Sequence, residues 1–99
     1  MLKDEPEFEW DDYKNLENQI KHGVSFLEAT HAFLDPKHII MRDDSHSHNE
    51  ERYFCLGLNK KQTNILTVRF TFRKKKLRII GAGYWRKGRR LYEQENQIH

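Results

Sequence analysis

The chain lacks the segments and cysteine pairs that would place it in a membrane or an oxidising compartment. No apolar run in its 99 residues approaches the roughly 18 residues that span a bilayer. Its first ten residues, MLKDEPEFEW, are acidic where a secretory signal is basic and then apolar. The single cysteine, Cys55, cannot form an intrachain disulfide, and we interpret it as a small buried apolar residue. We therefore expect a cytoplasmic protein that does not associate with membranes.

Linkers and repeats are also missing from the sequence. It has two prolines, five glycines and no Pro/Gly/Ser-rich or low-complexity tract. This length suits one core, and twelve aromatic residues supply anchors that disordered chains usually lack. We predict a single globular domain over residues 1–99.

Charge is divided unevenly between the two halves. Residues 1–51 hold five Lys/Arg and thirteen Asp/Glu, a balance of −8, whereas residues 52–99 hold thirteen and two, a balance of +11. Such asymmetry favours a polyanion or an acidic partner on the basic side. Alternatively, folding brings the halves together and neutralises both.

Helical spacing predicts a first helix over residues 11–22. Asp11 is a suitable N-cap, and Gly23 can end the helix in the left-handed conformation. The apolar residues that recur along it at helical spacing are Tyr13, Leu16 and Ile20.

A capping box predicts the start of a second helix. Ser25 is followed three residues later by Glu28, and Asp35-Pro36 stops the pattern. Its expected apolar face is Phe26, Ala29 and Phe33.

Period-two alternation predicts strands in the rest of the chain. The candidate strands are residues 7–10, 38–42, 52–58, 65–72 and 77–82, with a polar loop at 43–51, a connector at 59–64 and a basic turn at 73–76. Short connections favour an antiparallel meander, with two helices on its apolar face and the other side open. We expect Gly88 to interrupt any long helix in the tail. The predicted fold class is α+β.

The strand ILTVRFTFR and the residues after it form an unusually basic hairpin, with six Lys/Arg and no acid in residues 65–80. Alternation directs Leu66, Val68, Phe70 and Phe72 to one side and Thr67, Arg69, Thr71 and Arg73 to the other. The Thr/Arg side suits the phosphates of an extended nucleic acid, which arginine binds bidentately. The alternative is a solvated face paired with the acidic half of the chain.

Three segments of the sequence resemble the BrnT family of bacterial toxins. They are FEWDDYKNLENQIKHGVSFLEATHAFLDP, HSHNEERYFCLGL and ILTVRFTFRKKKLRIIGAGYWRKGRRLYE, which together span residues 8–93. The most specific element is FEWD, followed by KHGVSFxEA and then a DP stop. The resemblance implies a RelE-like fold with two helices and an antiparallel sheet. It also implies metal-independent cleavage of RNA, without a cofactor, by the toxin of a type II toxin–antitoxin pair. A BrnA-like ribbon-helix-helix antitoxin would be the partner, and operator DNA would be bound only through their complex.

The chain departs from this family at several positions. Ser45-His46-Ser47 stands where members commonly show Asp-His-Ser before EER. Gly81-Ala82-Gly83 stands where many read S-A-R, which suggests a distinct branch with the form GAGYWRKG. Within the basic strand, Arg73 fits the family's Thr-x-Arg pattern better than Arg69 does.

Cleavage of RNA without a metal needs proton transfer and cations around the reacting phosphate. His22 is the candidate acid, because histidine exchanges protons near neutral pH and a helix C-terminus favours its charged form. Arg69 and Arg73 are the candidate cations, and His22 has the alternative role of capping the helix carbonyls.

Other residues are candidates for substrate binding. They are Lys21, Arg52, Thr71, Arg78, Tyr84 and Trp85. Alternatively, Lys21 is simply solvated, and Arg52 forms an ion pair with Glu50 or Glu51. The two aromatic residues alternatively close the core or the antitoxin interface. His46 and His48 lack a third fixed ligand, so we predict no metal site.

Two functions follow from these observations. The first is an endoribonuclease toxin. The second is a non-catalytic module whose basic half binds an antitoxin or takes part in operator repression.

Overall fold

The computed structural model describes residues 6–97, in which five strands and three helices are found. Their bounds are β1 Glu7–Glu9, α1 Asp12–His22, α2 Phe26–Ala29, β2 Ile39–Arg42, β3 Arg52–Leu58, β4 Ile65–Arg73, β5 Lys76–Gly83 and α3 Arg86–Glu95. Short 3₁₀ segments at Thr30–Leu34 and Asp44–His46 follow α2 and β2. No helix in the described part of the chain is both long and apolar enough to cross a bilayer.

The five strands form one sheet in the order β1-β5-β4-β3-β2. Strands β2 to β5 make the predicted antiparallel meander, which confirms the α+β class. The expectation of a purely antiparallel sheet is wrong, because β1 pairs with β5 in parallel. Parallel pairing needs a long connection, and here helices α1 and α2 and strands β2 to β4 lie between β1 and β5.

The predicted helix starts are confirmed by their hydrogen bonds. Asp11 Oδ1 accepts from the N–H groups of Tyr13 and Lys14, at 2.9 and 3.1 Å. Ser25 and Glu28 exchange side-chain and backbone hydrogen bonds as a capping box. Gly23 ends α1 at a φ of 69°. The second helix keeps α geometry only through Ala29 and then tightens to 3₁₀.

One side of the sheet, here the core face, carries the main hydrophobic core. Its buried strand residues include Cys55, Val68, Phe70 and Ile79, packed against Val24, Phe26, Ala29 and Ala32. Cys55 is fully buried, which confirms its interpretation as a small buried apolar residue, and burial raises the pKa of its thiol to about 12. Phe72 was expected in this core but is 55% exposed, because it lies at the end of β4 with its ring edge-on to Phe70.

Helix α3 covers part of the opposite side of the sheet. Leu91 and Tyr92 pack against Leu56 and Ile65, and the buried Tyr92 hydroxyl donates to Asp35 Oδ2 at 2.6 Å. The prediction that this side is wholly open is therefore wrong. The expected break at Gly88 is also wrong, because α3 runs through that residue.

Helix α1 turns its apolar stripe to solvent. Tyr13, Leu16 and Ile20 are 69%, 55% and 79% exposed, so the residues whose spacing predicts this helix do not pack on the core. The buried side of α1 is polar instead. Asn18 donates to the carbonyls of Val24 and Ala82 at 2.8 and 2.9 Å and accepts from Ala82 N–H at 3.2 Å. Hydrogen bonds to the backbone, rather than apolar burial, therefore fix this helix to β5.

Replacing Asn18 tests this attachment. We expect Asn18→Ala to lower the free energy of unfolding by about 2 kcal/mol, because it leaves buried backbone groups unpaired. Leu16→Ala on the exposed side is the matched control and should change it by less than about 0.5 kcal/mol. Urea denaturation measures both, and equal losses would show that α1 is held by its apolar stripe.

Candidate functional site

The strand register places four arginines on the side of the sheet opposite the core face. Arg52 pairs with Thr71, which in turn pairs with Arg78 on β5. Arg69 and Arg73 stand two residues before and after Thr71 on β4, so they point to the same side. The predicted shared side of Arg69 and Arg73 is confirmed, and we call this side of the sheet the arginine face.

Three of the four arginines are engaged by carboxylates from the acidic half of the chain. Glu50 lies 3.2 Å from Arg73 and 3.3 Å from Arg52, and Glu9 lies 3.4 Å from Arg78. The Arg73 guanidinium holds the pKa of Glu50 below its ordinary value. Among residues 6–97, Arg69 has no ion pair. Carboxylates of the acidic half therefore neutralise three of the four arginines, as the alternative interpretation expected, but not Arg69.

Two other candidates for substrate binding are used within the protein. Thr71 is 1% exposed and its hydroxyl donates to the Glu51 carbonyl at 2.6 Å, so the expectation of an open donor is wrong. The Tyr84 hydroxyl accepts from Asn59 Nδ2 at 3.2 Å, at the β3–β4 loop. Lys21 is exposed in the last turn of α1.

A cleft of about 690 Å³ opens on the arginine face between the β2–β3 loop and the start of α3. We call it the Arg69 cleft. Its lining residues include Asp43, His46, Thr67, Arg69, Trp85 and Lys87. It unites two of the predicted site residues, Arg69 and Trp85, with groups from a loop and a helix that are distant in sequence.

Two glycines of β5 make room for the predicted residues of this cleft. A Cβ added at Gly81 would lie 2.8 Å from the Arg69 guanidinium, and one added at Gly83 would lie 2.6 Å from the Trp85 ring. The glycines that replace the serine and arginine of the S-A-R pattern therefore leave the space that the Arg69 and Trp85 side chains occupy. The indole occupies the space where a side chain at position 83 would begin.

His22 lies beside the cleft rather than in it. Its ring packs edge-on against Trp85 with a centroid separation of 5.1 Å. Trp85 is 38% exposed and also lines the Arg69 cleft. The structure thus brings three predicted residues, His22, Trp85 and Arg69, into one neighbourhood, with the indole in the middle.

The sequence interpretation missed an imidazole–carboxylate pair on the wall of the cleft. His46 Nδ1 lies 2.9 Å from Oδ2 of Asp43, which is 4% exposed. Burial opposes ionisation of Asp43, but hydrogen bonds from Ser45 and His46 and the charge of Arg69 hold its pKa below the ordinary value. The three-residue spacing of these side chains in a polar loop was the available signal, and we had weighed His46 only as a metal ligand.

None of the predicted site residues lines the second cleft of the structure. This cleft, of about 550 Å³, lies at the other side of α3, where Asp35, Asn64 and Glu93 are among its lining residues. In residues 6–97, no three His, Cys, Asp or Glu side chains gather as a metal site would require.

The sequence model of one protein family, described as ribonuclease toxin, BrnT, of type II toxin-antitoxin system, matches residues 10–88. The chain belongs to the BrnT family. No curated protein matches it. The BrnT match contains every predicted site residue and also Asp43, His46 and Lys87, and it ends within the first turn of α3.

Membership of the BrnT family confirms the resemblance seen in the sequence. It supports a toxin role for the chain in a type II toxin–antitoxin system, with RNA as the target and an antitoxin as the partner that the family description implies.

Proposed function

We propose that this BrnT toxin cleaves RNA in the Arg69 cleft without a metal or another cofactor. The observation that carries the proposal is the state of Arg69. It is half-buried, free of ion pairs among the described residues and placed in the cleft. A guanidinium so placed can bind two phosphate oxygens and stabilise the charge that develops on them during cleavage.

The neighbouring residues have roles that fit single-stranded RNA. The exposed part of the Trp85 indole provides a surface on which a base can stack. His22, beside Trp85, is the proposed acid that gives a proton to the leaving 5′-oxygen. Lys21 is exposed and can attract the RNA backbone, whereas Arg52, Arg73 and Arg78 can bind a phosphate only by leaving Glu50 or Glu9.

Cleavage of RNA in the presence of EDTA tests the proposed chemistry. The full chain should cut a single-stranded RNA and leave a 2′,3′-cyclic phosphate or 3′-phosphate and a 5′-hydroxyl, which end-labelling and mass spectrometry identify. Absence of cleavage at micromolar enzyme, or cleavage only after metal is added, contradicts the proposal.

The remaining features of the system are proposed from the family resemblance. They are a RelE-like arrangement in a single domain of residues 1–99, a cytoplasmic location, and a BrnA-like ribbon-helix-helix antitoxin through which the complex binds operator DNA. Induced expression in a bacterial host separates the two functions considered for the chain. Growth arrest that a co-expressed antitoxin relieves supports the toxin, whereas unaffected growth supports a non-catalytic binding module.

A further inference from the structure

The loop after β2 holds a histidine in a fixed orientation. Asp43 Oδ1 accepts from the Ser45 hydroxyl at 2.9 Å, while Oδ2 faces His46 Nδ1 at 2.9 Å. Ser47 closes the loop, because its hydroxyl donates to the Asp43 carbonyl at 2.7 Å and accepts from Arg52 N–H at 2.9 Å. A carboxylate on Nδ1 selects the tautomer whose free lone pair is on Nε2.

The exposure of the two partners differs in a way that suits proton transfer. The Asp43 side chain is 4% exposed, whereas that of His46 is 52% exposed and lines the Arg69 cleft. No described residue hydrogen-bonds Nε2 of His46. The ring is thus anchored on one nitrogen and open on the other.

The charged groups that line the cleft together with His46 come from four parts of the chain. Arg42, Asp43 and Asp44 belong to its own loop and the strand before it, Arg69 to β4, and Lys87 to α3. Arg42 is occupied by Asp44 and Glu51 at 2.7 and 2.9 Å. Arg69 and Lys87 therefore remain to attract a phosphate to the side of the cleft where His46 stands.

We propose that His46 is a catalytic residue of this cleft, the general base that activates the RNA 2′-hydroxyl, and that Asp43 is its positioning residue. The inference rests on the proposed ribonuclease activity. The 2′-hydroxyl proton moves to Nε2 as the 2′-oxygen forms a bond to phosphorus. The bond from phosphorus to the 5′-oxygen breaks, and that oxygen takes a proton from His22 or from water. The products are a 2′,3′-cyclic phosphate and a 5′-hydroxyl.

Single-turnover cleavage of a short single-stranded RNA in EDTA, measured from pH 5 to 9, tests this assignment. We expect His46→Ala to lower the rate about 100-fold, since general acid–base catalysis contributes at least this much. His46→Gln should lose as much and should also lack the rate increase on raising pH that the wild type shows. Free imidazole should restore part of the activity of His46→Ala. Asp43→Asn should lower the rate about tenfold and alter the pH profile. The amide of asparagine carries no negative charge with which to hold and polarise the imidazole.

His48→Ala is the matched control, because His48 is an exposed histidine of the same loop outside the cleft. Circular dichroism melting confirms that each variant is folded. If the wild type cuts RNA and His46→Gln cuts it as fast as His48→Ala does, the proposed role of His46 is overturned but the ribonuclease activity is not. A wild type that cuts nothing overturns the proposed ribonuclease activity itself.

Discussion

Arg69→Ala is expected to lower the rate of RNA cleavage about 1000-fold, the upper range for loss of one group that stabilises transition-state charge. The guanidinium has no ion pair among the described residues, so it is available to bind a substrate phosphate. Its removal should change the melting temperature little, because the side chain is only half-buried. Single-turnover kinetics and thermal melting measure the two effects.

Two further variants sharpen this result. Arg69→Lys keeps the charge but not the bidentate geometry, and should recover only part of the rate. Lys61→Ala removes one exposed charge from the β3–β4 loop, outside both clefts, and should leave the rate within about twofold. Equal losses in Arg69→Ala and Lys61→Ala would mean that only net charge matters, and would contradict the role of Arg69.

Arg73 offers the sharpest comparison with Arg69. The family pattern favours Arg73, whereas the structure engages its guanidinium with Glu50 and gives Arg69 the cleft. An arginine already paired with a carboxylate loses part of that interaction when it turns to a phosphate, so its net contribution is smaller. We therefore expect Arg69 to contribute more to cleavage than Arg73, the opposite of the order that the family pattern favours.

The strands and their faces were accessible from the sequence because side chains alternate strictly along a strand. The range predicted for β3 is confirmed, and the shared face of Arg69 and Arg73 follows from their spacing. Helix α1 was different. Its periodicity is detectable, but the side of the helix that meets the sheet is the one that carries Asn18, whose amide bonds the backbone of Val24 and Ala82. Periodicity identifies the apolar stripe of a helix, but it does not show whether that stripe faces the core or the solvent.

The cleft itself was not accessible, because its parts are distant along the chain. Local spacing gave no reason to join His46 to Arg69, which are brought together by the pairing of β3 with both β2 and β4. Likewise, the sequence alone gives no reason why Gly81 and Gly83 stand where many family members have serine and arginine. In the fold they accommodate Arg69 and Trp85, so each replacement makes sense only beside its neighbour across the sheet.

The seating of α3 on the sheet leads to a second large effect. A Cβ added at Gly88 would overlap the Thr67 hydroxyl oxygen and lie 3.1 Å from a methyl carbon of Leu56. In an exposed helix, Gly→Ala stabilises by about 1 kcal/mol. Here we expect the opposite sign, a loss of about 3 kcal/mol, because the added methyl forces the helix away from a packed surface. Urea denaturation measures it.

A double-mutant cycle isolates the cause of this loss. The Thr67 oxygen is buried without a hydrogen-bond partner in residues 6–97, so Thr67→Ala alone should change stability by less than about 1 kcal/mol. Thr67→Ala combined with Gly88→Ala removes the overlap and should recover most of the stability. Because Trp85 and Lys87 at the start of α3 form one wall of the Arg69 cleft, RNA cleavage should fall in Gly88→Ala and return in the double variant. Stabilisation by Gly88→Ala alone would show that α3 does not rest on Thr67, and this wall of the cleft would then need another support.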